Sequence, residues 1–486
     1  RMKVYRSMIT INNLFIIRVI LHPKYITIFI IVLMLYLVNS RGLFVFEKGY
    51  IMYSKIIKKL RDLENGKKGL WINNLTLKKS LEVGDTINCI YDFENKVLII
   101  EKAEILGSHT VSFRKSNPNI PILDIKNGSL TRLFEDVEKV EIQFYENKIV
   151  VKTALVEQKQ NERDQKQELK TFELFCGGGT LSEQFKYAGF TPVGGLEFNE
   201  NCLKFFEHNH TSSKLTILSD IRDVQPEEYP KNVDVVLCGI PCPAFTKSNK
   251  TMQEALARHN KGEATPDDLV LLESRYQAEY LTYYVLEAIR VMNPKSVVVE
   301  EVVEYSTTNA SELLRGILKH MNYEISETIS IGSHTARKRW CLVANAGSKV
   351  NLDNLIPPTS KTLLEVIGKT VDEIEWKKVS EIQRLATAEK KETIGIRSSL
   401  ANDTICNTFT CHGTRHTEPS LRHPTEDLYY EFTNEDIKKI HGLHDYKLSG
   451  VKTWDRYILG NGVVDMFRYV AERIKEANRK IQLIAA

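Results

Sequence analysis

From Thr171 onward the chain alternates short apolar runs with amphipathic helical stretches, and this alternation restricts the fold more than any other feature. The runs are Thr171 to Phe175, Thr216 to Leu218, Val233 to Gly239 and Ser296 to Val302. Strands separated by helices in this rhythm predict an α/β fold with a doubly wound, mainly parallel sheet. Ligands of such sheets sit at the carboxyl ends of the strands, so the residues that follow each run are the first candidates for chemistry.

The remainder of the 486 residues leaves room for further domains. Met52 to about Leu155 reads as short strands with turns at Glu82-Val83-Gly84-Asp85, Phe93-Glu94-Asn95-Lys96 and Tyr145-Glu146-Asn147-Lys148. It carries a weak internal repeat. Ile72-Asn73-Asn74 through Glu94 to Ile100 parallels Ile125-Lys126-Asn127 through Glu146 to Val151, which implies two copies of one β-unit. The expected division is 1–51 as an apolar leader, 52–156 as a β-rich repeat domain that binds DNA, dimerises or simply packs, and 157–170 as a linker. The alternating core is expected over 171–344, a polar, loop-rich insertion over 345–427, and a C-terminal segment over 428–486 that returns to the core. Glu157 to Lys170 is almost wholly Gln, Glu, Lys, Asp, Asn and Arg, and reads as a solvated linker or exposed helix.

Hydrophobic residues make up 42% and charged residues 26%, which excludes wholesale disorder and a multi-span membrane protein. A net charge of +4 leaves room for a local basic face and excludes a polycationic coat. The eight cysteines are scattered rather than set at framework spacings, which suits free thiols in a reducing cytoplasm. One stretch conflicts with that setting: Tyr25 to Val38 is apolar but for Thr27, between Lys24 and Arg41, and shorter than the roughly 20 residues that span a bilayer. It resembles the apolar part of a signal peptide. The alternative is that the natural start is Met52, with a ribosome-binding site encoded by Glu47-Lys48-Gly49.

Three strand ends concentrate the chemistry. The run Thr171 to Phe175 enters Cys176-Gly177-Gly178-Gly179-Thr180 and then a helix with Leu181, Phe185 and Ala188 on one face. Glycines there let a ligand approach the backbone, and Glu197 follows twenty positions after Gly177, placed to bind ribose hydroxyls. A tight loop with no ligand is the plain alternative. The run ending at Gly239 continues as Ile240-Pro241-Cys242-Pro243-Ala244-Phe245-Thr246. A cysteine fixed between two prolines at a strand end can serve as a thiolate nucleophile, whereas Cys238, inside the run, reads as an ordinary buried cysteine. The run from Ser296 ends in Glu300-Glu301-Val302. Parallel neighbours deliver their ends to one edge, so Glu300 and Cys242 can face one pocket, with a carboxyl tuned for proton donation. Both glutamates could instead simply begin a solvated loop.

The order glycine turn, Pro-Cys-x-x-Phe, Glu-x-Val, Arg-x-Arg and Gly-Asn-x-Val resembles the cytosine-C5 methyltransferases over Thr171 to about Lys475. The resemblance implies a Rossmann-like methyltransferase fold and S-adenosylmethionine as donor. Phe175, Gly177, Gly179 and Thr180 would belong to the donor-binding turn, Glu197 would bind its ribose and Asp220 its adenine amine. Pro241, Asn461 and Val463 would complete the donor pocket. Cys242 would be the nucleophile, Glu300 its acid partner, and Arg337 and Arg339 the arginines near the target base. Phe432 to Leu443 resembles the motif that supports a target-recognition domain, which would be 345–427, with Arg415 and Arg422 as candidate base contacts. Lys247 to Arg275, polar and helix-prone, corresponds to a mobile loop that closes over flipped DNA.

The implied partner is double-stranded DNA, with no metal. Addition of a thiolate to C6 of cytosine makes C5 nucleophilic, and the base must leave the stack to be reached. Three residues depart from the family pattern: Glu301 for asparagine, Thr335 for glutamine and Thr180 for the third glycine. An RNA cytosine methyltransferase and a DNA-binding protein without catalysis are the rival readings. Cys406, Cys411, His412 and His416 have metal-ligand chemistry, but Cys411 and His412 are adjacent, unlike the spaced pairs of zinc modules.

Overall fold

The computed structural model describes residues 8–11, 14–17, 52–73, 75–115, 117–166, 169–241, 243–246, 249–357, 359–378, 398–411 and 419–485. The apolar run Tyr25 to Val38 lies outside them. Among the described residues no helix is long and apolar enough to cross a membrane. The chain divides into two units, Arg1–Ala154 and Leu155–Ala486.

In the first unit the two sequence copies fold alike and pair with each other. Hairpin Thr86–Asp92 with Val97–Lys102 corresponds to hairpin Lys139–Tyr145 with Lys148–Thr153. The second strands of the two hairpins are antiparallel neighbours, with Leu98 opposite Val151 and Ile99 opposite Val150. Elsewhere Trp71 pairs with Asp124, its counterpart in the second copy. Equivalent strands meeting antiparallel at equivalent positions produce a local two-fold relation. One apolar core, including Ile72, Leu98, Ile100, Ile125, Ile142, Ile149 and Val151, is built jointly by both copies.

The second unit is built on a seven-stranded sheet. Its strands are β1 (Lys170–Leu174), β2 (Thr191–Glu197), β3 (Leu215–Leu218), β4 (Val235–Gly239), β5 (Ser296–Glu301), β6 (Tyr323–Ser330) and β7 (Arg339–Ala346). Spatial order is β3-β2-β1-β4-β5-β7-β6. The first five are parallel, and β7 runs antiparallel to both β5 and β6. The fold is therefore α/β, doubly wound around a mainly parallel sheet. Strand order reverses between β1 and β4, the switch point at which the carboxyl ends of an open sheet leave a crevice.

Both faces are buried, which explains the near-continuous apolar runs. Val236, Cys238, Val297 and Val299 face a core containing Val285, Ile289 and Met292 of the long helix α5 (Pro266–Met292). Their alternates Val235, Leu237 and Val298 face Leu181 and Phe185 of α2 (Thr180–Tyr187) and Phe467, Val470 and Ile474 of α6 (Met466–Ala485). Each such side chain removed fully from water contributes roughly 1.5–3 kcal/mol.

Two expectations need correction. Of the two readings of Glu157 to Lys170, the linker gives way to the helix, and that helix is not wholly exposed: Leu155–Asp164 forms helix α1, and Arg163 is buried. Its cations, and Lys166 just after it, donate to backbone carbonyls around the sheet. Lys159 Nζ donates to Arg290 O (2.7 Å), Arg163 Nη2 to Met321 O (2.7 Å), and Lys166 Nζ to Val233, Met292 and Asn293 O (2.9, 3.0 and 2.8 Å). The Met292 and Asn293 carbonyls lie at the end of α5, where a helix leaves acceptors unsatisfied and favours positive charge. Second, no break in the core falls at 427. Leu363, Leu421 and Tyr430 share one apolar cluster with Phe432, Ile437, Ile440, Leu443 and Tyr446, and Cys202 and Phe205 of α3 (Glu200–Asn209) join it. A four-stranded sheet of Lys377–Lys378, Leu428–Glu431, Ser420–Arg422 and Ser398–Leu400 likewise has strands on both sides of 427.

Candidate active site

The carboxyl ends of β1, β2, β4 and β5 bring four of the expected elements to one edge. After β1 the backbone turns sharply: Phe175, Gly177 and Gly179 have φ of 55°, 50° and 77°. Phe175 thus carries a left-handed conformation that non-glycine residues seldom adopt. Cys176 N–H donates to Leu196 O (2.9 Å) and holds the turn against β2. At the end of β2, Glu197 Oε2 accepts from Gly177 N (2.8 Å) and Oε1 from Asn199 N (3.0 Å). The carboxylate therefore shapes the glycine turn while keeping further lone pairs for hydroxyl donors.

The turn leaves no room for side chains on its inner side. A Cβ on Gly178 would stand 2.6 Å from Tyr446 Oη, and one on Gly179 2.6 Å from His210 Nε2. Both neighbours are bonded to the turn. Tyr446 Oη donates to Gly178 O (2.6 Å), and His210 Nε2 lies 2.9 Å from Gly179 O. Burial pulls the His210 imidazole down to about 4, so near neutral pH it is uncharged, and its Nε2–H must face the carbonyl. Thr180 gains a role that glycine could not fill: its Oγ1 accepts from Val463 N (3.1 Å), tying the C-terminal Gly460-to-Val463 segment to the turn. Asn461 on the same segment is exposed. Asp220, after β3, is engaged by Arg222 through two bonds (2.9 and 2.6 Å).

Pro241 follows β4 and is half-buried, and Pro243 is exposed; Cys242, Lys247, Ser248, Arg415, His412 and His416 lie outside the described residues. The turn from Pro243 to Thr246 is held from its far side. Asn249 Nδ2 donates to Pro243 O (3.0 Å) and Arg275 Nη1 to Ala244 O (3.0 Å), while the Arg275 guanidinium lies over the Phe245 ring at 5.0 Å. Phe245 packs edge-on against Tyr305 at 5.0 Å. The helix-prone stretch from Lys247 to Arg275 is largely helical: α4 (Lys250–Asn260) precedes α5, and Arg258 forks onto Asp268 at 2.9 and 2.6 Å.

On β5, Glu300 Oε1 meets Arg339 Nε of β7 at 2.6 Å, with both side chains mostly buried. Gly239 stands opposite Glu300 in the ladder, and a Cβ there would lie 3.5 Å from Glu300 Oε2, so the missing side chain opens the space beside this carboxylate. The two arginines part company. Arg339 joins Glu300, whereas buried Arg337 donates to Phe409 O (3.3 Å). Thr335, fully buried, bridges to Cys406, and Ala336 N donates to Cys406 O (2.8 Å). Arg422, one of the candidate base contacts, is half exposed and 3.7 Å from Asp427.

A family model for the C-5 cytosine-specific DNA methylases matches residues 169–476. The chain belongs to this family. Among curated relatives of these methylases, the Type II methyltransferase M.NgoPII of Neisseria gonorrhoeae is 31% identical over 80 residues, covering 16% of this chain and 23% of that protein. M.AgeI of Thalassovita gelatinovora is 34% identical over 85 residues, 16% of this chain and 20% of its own length. The matched stretches thus span about a fifth to a quarter of these relatives. Among solved structures, S. pombe Dnmt2 methyltransferase superposes with a TM-score of 0.48 at 16% identity, covering 65% of this chain and 99% of that one.

Several methylase residues escape a sequence reading. Tyr446, His210 and Arg275 reach the site over long sequence separations without a local pattern. Phe198 had a signal: it is a large aromatic side chain directly after Glu197, and it is 69% exposed. Among the described residues no group of three or more His, Cys, Asp or Glu side chains is placed to hold a metal ion.

Proposed function

We propose that this methylase transfers a methyl group from S-adenosylmethionine to C5 of a cytosine flipped out of double-stranded DNA. The observation that carries the reading is the Glu300–Arg339 pair, set beside the β4 turn on the edge that also holds the glycine turn and Glu197. The donor site fits its ligand chemically. Open space beside Gly177 admits a ligand against bare backbone, while Gly178 and Gly179 are packed by Tyr446, Ile458, His210 and Phe206; Glu197 offers acceptors for ribose hydroxyls, and exposed Phe198 offers a flat apolar face for a purine. Asp220 would accept from the adenine amine once Arg222 yields, and Pro241, Thr180, Asn461 and Val463 would close the pocket. When bound, the donor supplies an electrophilic methyl group.

The chain's own residues would then do the rest. Cys242 adds through its thiolate to C6 of the base, a step that turns C5 into a nucleophile. Glu300 holds a proton at N3 and so offsets the negative charge that addition pushes into the ring. Arg339 orients Glu300 and the base together, while Arg337 braces the joint to residues 406–409. After methylation the C5 proton leaves, the Cys242–C6 bond breaks, and the thiolate is restored. Target recognition is assigned to the insertion that begins at 345 and runs past 427 through the strand Leu428–Glu431, with Arg422 and Arg415 as its candidate base readers in the major groove. A reducing, cytoplasmic setting suits the reactive thiol, and the seven described cysteines are free.

The test is transfer of labelled methyl from S-adenosylmethionine to mixed-sequence duplex DNA, with tRNA and a Cys242→Ala variant in parallel. Label recovered as 5-methylcytosine in DNA and lost in the variant is the expected result. Label in tRNA alone would transfer the activity to RNA, and label in neither would leave a binding protein.

A further inference from the structure

Glu301 ends β5 and is buried, yet the mechanism above does not use it. Adjacent residues of a strand face opposite sides. Glu300 therefore faces the site, and Glu301 faces the α5 side, opposite Trp340 in the ladder. There Glu301 Oε2 accepts from its neighbour Val302 N, and among the described residues Oε1 has no partner.

The charged and titratable groups around it are Glu300 on its own strand, Glu304 and Tyr305 on the following turn, Cys238 on β4 and Arg339 on β7. None neutralises it. Arg339 is committed to Glu300, and burial pushes the Cys238 thiol and the Tyr305 phenol up, so both stay uncharged. Burial, and then the Glu300 charge, also push Glu301 well above the ordinary carboxylate range. A carboxyl that keeps its proton has one O–H to donate. On the neighbouring strand the register sets Gly239 opposite Glu300, which brings the chain leaving β4 at Ile240 and Pro241 alongside Glu301. Phe245 closes the same turn against Tyr305.

The geometry points to Glu301 as a positioning residue that works as a neutral acid, donating its O–H to the Ile240–Pro241 backbone and thereby presenting the next residue, Cys242. This assignment rests on the proposed methyl transfer. Ionisation of Glu301 would break that bond and set a second negative charge beside Glu300. Glutamine keeps a donor and cannot ionise, whereas alanine removes the donor.

The experiment measures methyl transfer to duplex DNA by the full chain, from about pH 6 to about pH 10, for wild type, Glu301→Gln and Glu301→Ala. Folding is checked by circular dichroism, and urea stability is measured at each pH. Glu301→Ala is expected to lose about tenfold in kcat with little change in KM for DNA, and Glu301→Gln to rescue most of that loss. Wild type should fall in rate at alkaline pH, a limb that Glu301→Gln lacks or carries at distinctly higher pH. Identical alkaline limbs in wild type and Glu301→Gln, or a Glu301→Gln as slow as the alanine variant, would overturn the assignment. If alanine fails to fold, the comparison of wild type with glutamine still decides. If wild type transfers no methyl, the proposed function fails, and urea stability decides the buried proton separately. Wild type should lose stability relative to Glu301→Gln as pH rises; a constant difference would refute the neutral acid.

Discussion

Replacing Lys166 with methionine keeps an apolar stem of similar length and removes an ammonium whose three donors reach Val233, Met292 and Asn293 O at 2.9, 3.0 and 2.8 Å. Hydrogen bonds to charged groups contribute roughly 1.5–3 kcal/mol each, but these three are not additive. Burial also holds the Lys166 pKa below its ordinary value, a desolvation cost that methionine does not bear. Against that relief stand three carbonyls left without their donor, two of them at the end of α5. The net loss is expected to be about 2–4 kcal/mol, a large part of the roughly 5–15 kcal/mol that holds a domain together. Urea unfolding followed by tryptophan fluorescence measures it, because three of the four tryptophans, Trp340, Trp376 and Trp454, lie in the Leu155–Ala486 unit. The midpoint should fall with an unchanged slope. A change under about 0.5 kcal/mol, the usual result for a solvated surface residue, would refute the role given to α1.

Other outcomes follow from the same geometry. Gly178→Ala sets a Cβ 2.6 Å from Tyr446 Oη and 2.7 Å from Ile458, so affinity for S-adenosylhomocysteine in calorimetry should fall by at least about tenfold by loss of about 1.4 kcal/mol or more; unchanged affinity contradicts the role given to the turn. Burial pushes Glu173 up to about 8, so the folded chain holds a proton there that the unfolded chain has lost. Stability should therefore decline as pH rises from the ordinary carboxylate range to about 8, by at most about 1.4 kcal/mol per unit, and Glu173→Gln should remove that component. Arg275→Met removes the bond to Ala244 O and the cation over Phe245, and kcat should drop about tenfold (about 1.4 kcal/mol) with little change in KM for the methyl donor.

The sheet was legible because strands covered on both faces leave runs such as Val233 to Gly239 with almost no polar residue. Glu197 and Glu300 were legible because a carboxylate that ends an apolar run is rarely there for packing. The β-repeat was visible from Ile72 and Ile125 onward, though only the structure pairs the copies through Leu98 and Val151. What escaped has a common cause, polar side chains whose partners are distant backbone atoms. The polarity of α1 suggested solvent, whereas Lys166 and Arg163 spend their charge on carbonyls of Met292 and Met321. Thr180 looked like a defect in a glycine motif, and it bonds a segment that arrives nearly three hundred residues later. The boundary at 427 failed because composition changes there while the apolar cluster running from Leu363 to Leu443 does not.

The central claim is that Cys242 attacks C6 of a flipped cytosine. Duplex DNA carrying 5-fluorocytosine tests it directly, since fluorine at C5 cannot leave as a proton does, and the adduct persists after methyl transfer. Incubated with S-adenosylmethionine, the wild-type chain should form a denaturation-resistant complex with DNA, and peptide mass spectrometry should place the link on Cys242. An adduct on any other residue, or one that still forms in Cys242→Ala, would contradict the mechanism; none with wild type, under conditions that methylate unmodified DNA, would contradict it equally.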